Sequence, residues 1–219
     1  MLMNDLLGKD TSRLKEKKLF LFDLDGTIYE DRRVFAGALE LLDTIREIGG
    51  KYVFITNNSS TSVRDYVQRL KTMGIAAGPD NFFTSAQATV FYLKEHHPGQ
   101  VVYCLGTRSL LQEFMDSGLA VTDRVDDRAG VIVVGFDTEL TYAKIRRTCE
   151  MLSKDLPYLA TNPDLACPAE FGFVPDCGAI CEMLALATGK RPIFLGKPNA
   201  VMVDYVVRNS VFAKEQTVV

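Results

Sequence analysis

The run Lys17-Lys18-Leu19-Phe20-Leu21-Phe22-Asp23-Leu24-Asp25-Gly26-Thr27-Ile28-Tyr29 constrains this chain more than any other stretch. Apolar residues follow one another without a polar break until Asp23, the pattern of a strand covered on both faces. Asp23 and Asp25 then arrive as the strand runs out. Alternation along an extended backbone sends both side chains to the same side, at the C-terminal end. In parallel α/β sheets that end is where ligands bind. Taken singly, either Asp is as readily a turn former or cap. A doublet directly after a buried strand instead suggests an oxygen-rich cradle for a hard divalent cation, most naturally Mg²⁺, with one carboxylate left to act on a substrate. Gly26 allows the tight turn that follows.

Alternating strand and helix patterns continue from there. Residues 37–48 predict a helix with Leu39, Leu41, Leu42, Ile45 and Ile48 on its apolar face. A strand at Lys51–Ile55 ends in Thr56-Asn57-Asn58-Ser59-Ser60-Thr61. A helix bearing Val63, Tyr66, Val67, Leu70 and Met73 follows and stops at Gly74. This order implies parallel pairing with right-handed crossovers. Further strand–helix units occupy residues 85–152, followed by a strand at 156–160. The segment holding Pro168, Gly172 and Pro175 predicts no helix. A helix at 179–188, a strand at Pro192–Leu195 and a helix at 199–207 complete the series. Gly106-Thr107-Arg108-Ser109 lacks the glycine spacing of a dinucleotide loop.

Two later segments place chemistry at strand ends. Thr56, with the backbone N–H groups of Asn57 and Asn58, suits phosphate oxygens, although capping by Ser60 or Thr61 explains the same residues. Gly196-Lys197-Pro198 follows a short strand and would deliver an ammonium to the sheet edge carrying Asp23 and Asp25, offsetting their charge.

The charge balance of 25 basic against 28 acidic residues gives −3, which supports neither a nucleic-acid nor an anionic-membrane partner. No apolar run approaches the ~20 residues of a membrane span. The first 18 residues read as neither signal peptide nor anchor. Five scattered cysteines without a C-x-x-C pair argue for reduced thiols in a cytoplasm rather than a disulfide framework or zinc site. Cys177 and Cys181 read as packing. His96 and His97 carry no recognisable motif.

Asp-Leu-Asp-Gly-Thr-Ile-Tyr resembles the first signature of the haloacid dehalogenase-like phosphohydrolases, in the capped branch of nitrophenyl-phosphatase-like and phosphoglycolate-phosphatase-like (NagD-like) enzymes. The strand-terminal Thr56 is similar to the second signature and Gly-Lys-Pro-Asn at 196–199 to the third. The resemblance implies a Rossmann-like parallel-sheet core at 1–84 and 178–219 with an α/β cap domain inserted at 85–177. It also implies an Mg²⁺-dependent phosphomonoesterase for small phosphorylated metabolites, and cap-mediated homodimers. Asp23 would be the nucleophile, Asp25 the acid and base, and both would hold the metal. Thr56, Asn57, Asn58 and Lys197 would bind the phosphoryl group, and the loop from Asn162-Pro163-Asp164 to Pro175 would contact substrate. The fourth signature, an acidic pair after one more strand, finds no match. The sequence ends at Glu215-Gln216-Thr217-Val218-Val219 as that strand begins, so a fragment, or a non-catalytic or regulatory phosphoacceptor, stands as the alternative. Receiver domains share the acids, Thr and Lys, but carry no module between Thr and Lys.

Overall fold

The computed structural model describes residues 7–30, 32–169 and 171–219; the reading of the N-terminus falls in part on residues 1–6, outside that range. In chain order the elements begin with β1 (Leu19–Phe22), β2 (Tyr29–Glu30), β3 (Arg33–Val34), α1 (Ala38–Glu47), β4 (Lys51–Thr56), α2 (Val63–Thr72) and β5 (Phe82–Thr84). Next come α3 (Ser85–His96), β6 (Val101–Leu105), α4 (Arg108–Asp116), β7 (Ala120–Thr122), β8 (Ala129–Val134), α5 (Tyr142–Leu152) and β9 (Tyr158–Ala160). The last are β10 (Ala166–Ala169), β11 (Gly172–Pro175), α6 (Cys177–Thr188), β12 (Ile193–Phe194), α7 (Val201–Arg208) and β13 (Thr217–Val218). They form two compact units. One comprises Met1–Ile55, Val67–Phe83 and Val203–Val219, the other Thr56–Tyr66 and Thr84–Met202.

The first unit is built on a sheet of order β13-β1-β4-β5. β1 runs parallel to both neighbours, Leu19 lying opposite Lys51 on one side and Thr217 on the other. Leu19, Phe20 and Leu21 are all buried, which is why the run shows no polar alternation. The strand expected near residue 217 is β13. On α1 the apolar face is Ala38, Leu42 and Ile45, whereas Leu39, Leu41 and Ile48 are exposed. The expected face was too broad: Ala38, Leu42 and Ile45 form the centre of the stripe, and Leu39, Leu41 and Ile48 lie at its flanks, where they meet solvent. Phe54 stacks at a tilt on Phe82 with centroids 5.5 Å apart, and Phe83 lies flat against Tyr205 at 5.1 Å.

The second unit contains a five-stranded sheet of order β12-β9-β8-β6-β7, parallel throughout. Its strands divide their side chains between two cores. Tyr103, Leu105, Ile132, Val134, Tyr158 and Ala160 face Met151, Ile180 and Leu184 of α5 and α6. Val102, Cys104, Val131, Val133 and Leu159 face Val90, Leu110 and Phe114 of α3 and α4. Each of these helices starts at a residue suited to the purpose: Thr84, Thr107, Thr141 and Asp176 accept a backbone N–H from the first turn. Thr84 and Gln87 complete a reciprocal capping box.

The segment predicted to hold no helix forms an antiparallel hairpin, β10–β11, with Ala166 opposite Pro175. Residues 178–202 group with the second unit, where β12 pairs with β9 through Ile193 and Leu159. A strand of two residues carries no mark of the sheet it joins. The helix after Lys197 begins at Val201 rather than Asn199, so Pro198 precedes it. Asn199 Oδ1 accepts the Val201 N–H at 3.1 Å instead. No helix of the described residues is long and apolar enough to cross a membrane.

Candidate active site

In the first unit, β1 stops at Phe22 and the chain enters a tight loop. Leu24 is fully buried while Asp23 and Asp25 on either side are exposed, the alternation expected of them. Thr27 and Ile28 donate their N–H groups to the Leu24 carbonyl at 3.2 and 3.0 Å, and Gly26 donates to the Tyr29 carbonyl at 2.9 Å. Gly26 takes φ +77°, a region that penalises any side chain. The loop therefore fixes both acids beyond the C-terminal end of a buried parallel strand.

Tyr29 closes this loop from below. Its side chain is fully buried, with the Arg69 guanidinium 5.0 Å from the ring centroid. Burial, and then the negative charge of Asp25, hold the phenol well above the ordinary tyrosine range, while Arg69 acts the other way.

Two carboxylates on one loop fit a hard cation such as Mg²⁺, which retains several waters and is commonly held by one or two protein carboxylates. Among the described residues no cluster of three His, Cys, Asp or Glu side chains forms a metal cage.

The second unit holds the other expected residues. Thr56 is buried at the end of β4, its Oγ1 accepting the Asn58 N–H at 3.1 Å. Asn58 Oδ1 in turn accepts from the backbone N–H and the hydroxyl of Ser60, both at 2.8 Å. The Asn58 side chain thus shapes the turn ahead of α2.

Asn57 does something the sequence did not suggest. Its amide Nδ2 donates to Asp164 Oδ2 at 2.9 Å and to the Lys197 carbonyl at 3.0 Å, and its Oδ1 accepts the Lys197 N–H at 2.7 Å. The backbone carbonyl of Asn57 accepts from Ser85 Oγ at 2.6 Å and from Asn162 Nδ2 at 2.8 Å. One buried residue so clamps the backbone of Lys197, whose peptide to Pro198 is cis. Gly196 is demanded by this packing, because a Cβ there would sit 2.6 Å from Asn57 Oδ1 and 2.6 Å from the Thr161 carbonyl.

Asn162 and Asp164, expected to contact substrate, both give side-chain atoms to this scaffold. Behind them runs a buried chain of aligned donors. Phe136 N–H donates to Ser59 Oγ at 3.0 Å, and the Ser59 and Thr161 hydroxyls lie 2.9 Å apart. Thr161 Oγ1 donates to Cys177 Sγ at 3.6 Å, and that thiol donates to the Val134 carbonyl at 3.4 Å. Gly178 allows α6 to reach the same loop, its N–H donating to the Asp164 carbonyl at 2.8 Å. A Cβ at Gly178 would lie 2.2 Å from the Pro163 oxygen. A signal for this arrangement was present: the two apolar strands β4 and β9 both run into Thr-Asn, at 56–57 and 161–162. All five cysteines are free.

Residues 20–120 match the family described as haloacid dehalogenase-like hydrolase. An acid sugar phosphatase from Staphylococcus epidermidis is 33% identical over 191 residues, 87% of this chain and 73% of the relative. The crystal structure of a 4-nitrophenylphosphatase from Thermotoga maritima superposes with a TM-score of 0.89 at 35% identity, over 94% of this chain and 78% of that one. A glycerol phosphate phosphatase from Mycobacterium tuberculosis, solved in complex with magnesium, gives 0.83 at 29% identity, covering 90% of this chain and 59% of its own. The acid loop after a buried parallel strand and the lysine that follows a second strand thus stand in a chain that belongs to the haloacid dehalogenase-like hydrolases.

Proposed function

We propose that the protein hydrolyses phosphate monoesters of small metabolites through an aspartyl-phosphate on Asp23. The observation that carries this reading is the placement of two exposed carboxylates, two residues apart, on a constrained loop at the C-terminal end of β1, in a chain whose relatives bear phosphatase names. Asp23 Oδ attacks phosphorus as the bond to the ester oxygen breaks, and Asp25 gives that oxygen its proton. Asp25 then removes a proton from water, whose oxygen displaces Asp23 and releases inorganic phosphate. Splitting the displacement in two avoids one difficult step, and transfer through a positioned acid contributes typically 10²–10⁴-fold.

The binding roles go to Thr56, the Asn57–Asn58 backbone and the Lys197 ammonium, as donors toward the non-bridging oxygens, with Asn57 setting the Lys197 backbone. Mg²⁺ held by Asp23 and Asp25 would supply charge neutralisation at the phosphoryl group. The inserted module at 85–177 takes the part of a cap domain that selects the leaving group, and the free thiols suit a reducing, cytoplasmic setting.

The test is turnover of p-nitrophenyl phosphate with Mg²⁺ by the protein and by Asp23→Asn. Wild-type turnover with a loss of at least ~10³-fold in the variant is the expected result for a nucleophile. Equal rates in the two proteins would remove Asp23 from the chemistry.

A further inference from the structure

Asp164 is anchored through its backbone and its side chain alike. Its N–H donates to Asn162 Oδ1 at 2.9 Å, its carbonyl accepts the Gly178 N–H at 2.8 Å, and its carboxylate accepts Asn57 Nδ2 at 2.9 Å. Asn162, fully buried, ties the same two segments together again, since its Nδ2 donates to the Asn57 carbonyl at 2.8 Å. These residues, and Lys197 with them, belong to the second unit. Among the described residues the one donor to the Asp164 carboxylate is the Asn57 amide. A carboxylate fixed against a neutral amide, with no cation as its partner, has a purpose other than charge pairing.

That purpose follows from what the amide can bond. Asn57 Nδ2 has two protons to give and Oδ1 accepts. One proton goes to the Lys197 carbonyl at 3.0 Å, and Oδ1 takes the Lys197 N–H at 2.7 Å. The remaining proton is the one Asp164 accepts. Bonded to Lys197 alone, the amide could swing and carry the lysine backbone with it. The bond to a carboxylate is of the stronger, charge-assisted kind, and it ties the amide plane through Asp164 to the start of α6.

Building on the phosphatase reading, in which the Lys197 ammonium receives phosphoryl oxygens, we propose that Asp164 is a positioning residue for Lys197. It locks the plane of the Asn57 amide, and that amide sets the backbone from which the lysine reaches. Asp164 itself touches no part of the substrate and acts through Asn57.

The test compares full-chain variants by two constants, KM for p-nitrophenyl phosphate and the Kd of inorganic phosphate, the latter by titration calorimetry with Mg²⁺. In Asp164→Ala both constants should rise together by about tenfold while kcat changes less than ~3-fold, the pattern of lost binding common to ground and transition states. Asp164→Asn keeps an acceptor oxygen for the amide and should bring both constants back to within ~3-fold of wild type. Inorganic phosphate has no leaving group, so a Kd that stays put while KM rises would mean that Asp164 reads the leaving group directly. Unchanged constants in the Ala variant would make the residue idle, and an Asn variant no better than Ala would show that the braced amide is not what matters. Each of these results overturns the proposal. Should Asp164→Ala fail to fold, Asp164→Ser, whose hydroxyl is one bond shorter, takes its place. A Ser protein that also fails to fold, or that binds phosphate as wild type does, overturns the proposal too. Asp23→Asn, assayed alongside, keeps the two levels apart. If it is as active as wild type, the phosphatase mechanism is wrong, and the phosphate titration still judges Asp164. If it is dead while Asp164→Ala matches wild type, only the role of Asp164 is wrong.

Discussion

Asn57 shows how one side chain can be worth more to a binding site as a strut than as a ligand. Its amide satisfies the N–H and the C=O of Lys197 and one oxygen of Asp164 at once. Truncation to Ala would orphan those groups and should destabilise the protein by about 2–4 kcal/mol, at the usual ~1–3 kcal/mol for each buried group left unpaired. Asn57→Asp keeps the shape but turns the Nδ2 donor into an acceptor facing the Asp164 carboxylate. That variant should melt well below wild type at pH 8 and recover part of the loss at pH 5, where a protonated carboxyl can donate again. A melting difference independent of pH would contradict the clamp. Gly196→Ala attacks the same contact from the other side, because its Cβ would fall within 2.6 Å of Asn57 Oδ1 and of the Thr161 carbonyl, a backbone atom that cannot swing away. It should raise KM for a phosphate ester by moving Lys197, and a KM within twofold of wild type would show that the loop absorbs the methyl group.

Among the elements, what could be read in advance follows burial. β1, β4, β6 and β8 announced themselves because covering both faces of a parallel strand leaves an unbroken apolar run. Helices α3 to α6 were legible from their periodicity, and Thr84, Thr107 and Thr141 mark three of their starts. The β10–β11 hairpin was not, since Phe171 and Phe173 are exposed and Pro168 and Pro175 interrupt the pattern. The strand-end acids could be found from local sequence alone. The Asn57 clamp could not, because its partners lie 107 and 140 residues away. Nor could the ion pair of Asp137 and Lys144, at 2.8 Å, whose carboxylate is fully covered and whose ammonium also donates to the Gly106 carbonyl at 2.9 Å. It joins the C-terminal ends of β6 and β8 to α5. Lys144→Met leaves Asp137 charged and buried without its cation, and should cost about 3–5 kcal/mol in denaturant unfolding. Adding Asp137→Asn should return most of it. A single variant as stable as wild type would show that the pair holds nothing.

For the molecule as a whole, the ionisable groups set a stability profile unlike that of a protein held by surface ion pairs. Asp126 is pulled down to about 2 by hydrogen bonds from Arg128, so its contribution is present at ordinary pH and is lost only as pH falls toward 2. Its partner Arg128 is exposed, so the pair counts for little. Glu113 on α4 behaves in the opposite sense. Burial, reinforced by the charge of Asp116 one turn on, raises it from 4.5 to about 7. A carboxyl whose proton is held more tightly folded than unfolded stabilises the fold fully below 4.5, and that stabilisation drains away as pH rises through about 7. Asp176, raised by its own burial at the start of α6, adds to the same slope. The protein should therefore melt at a higher temperature near pH 5 than near pH 8. Glu113→Gln, which cannot ionise, should flatten that difference mainly by raising the pH 8 value. Thermal melts of both proteins across pH 4.5 to 8 decide the matter: a wild-type curve that climbs with pH, or a Gln variant with an unaltered slope, would mean that Glu113 meets its charge with solvent or a counter-ion when it ionises.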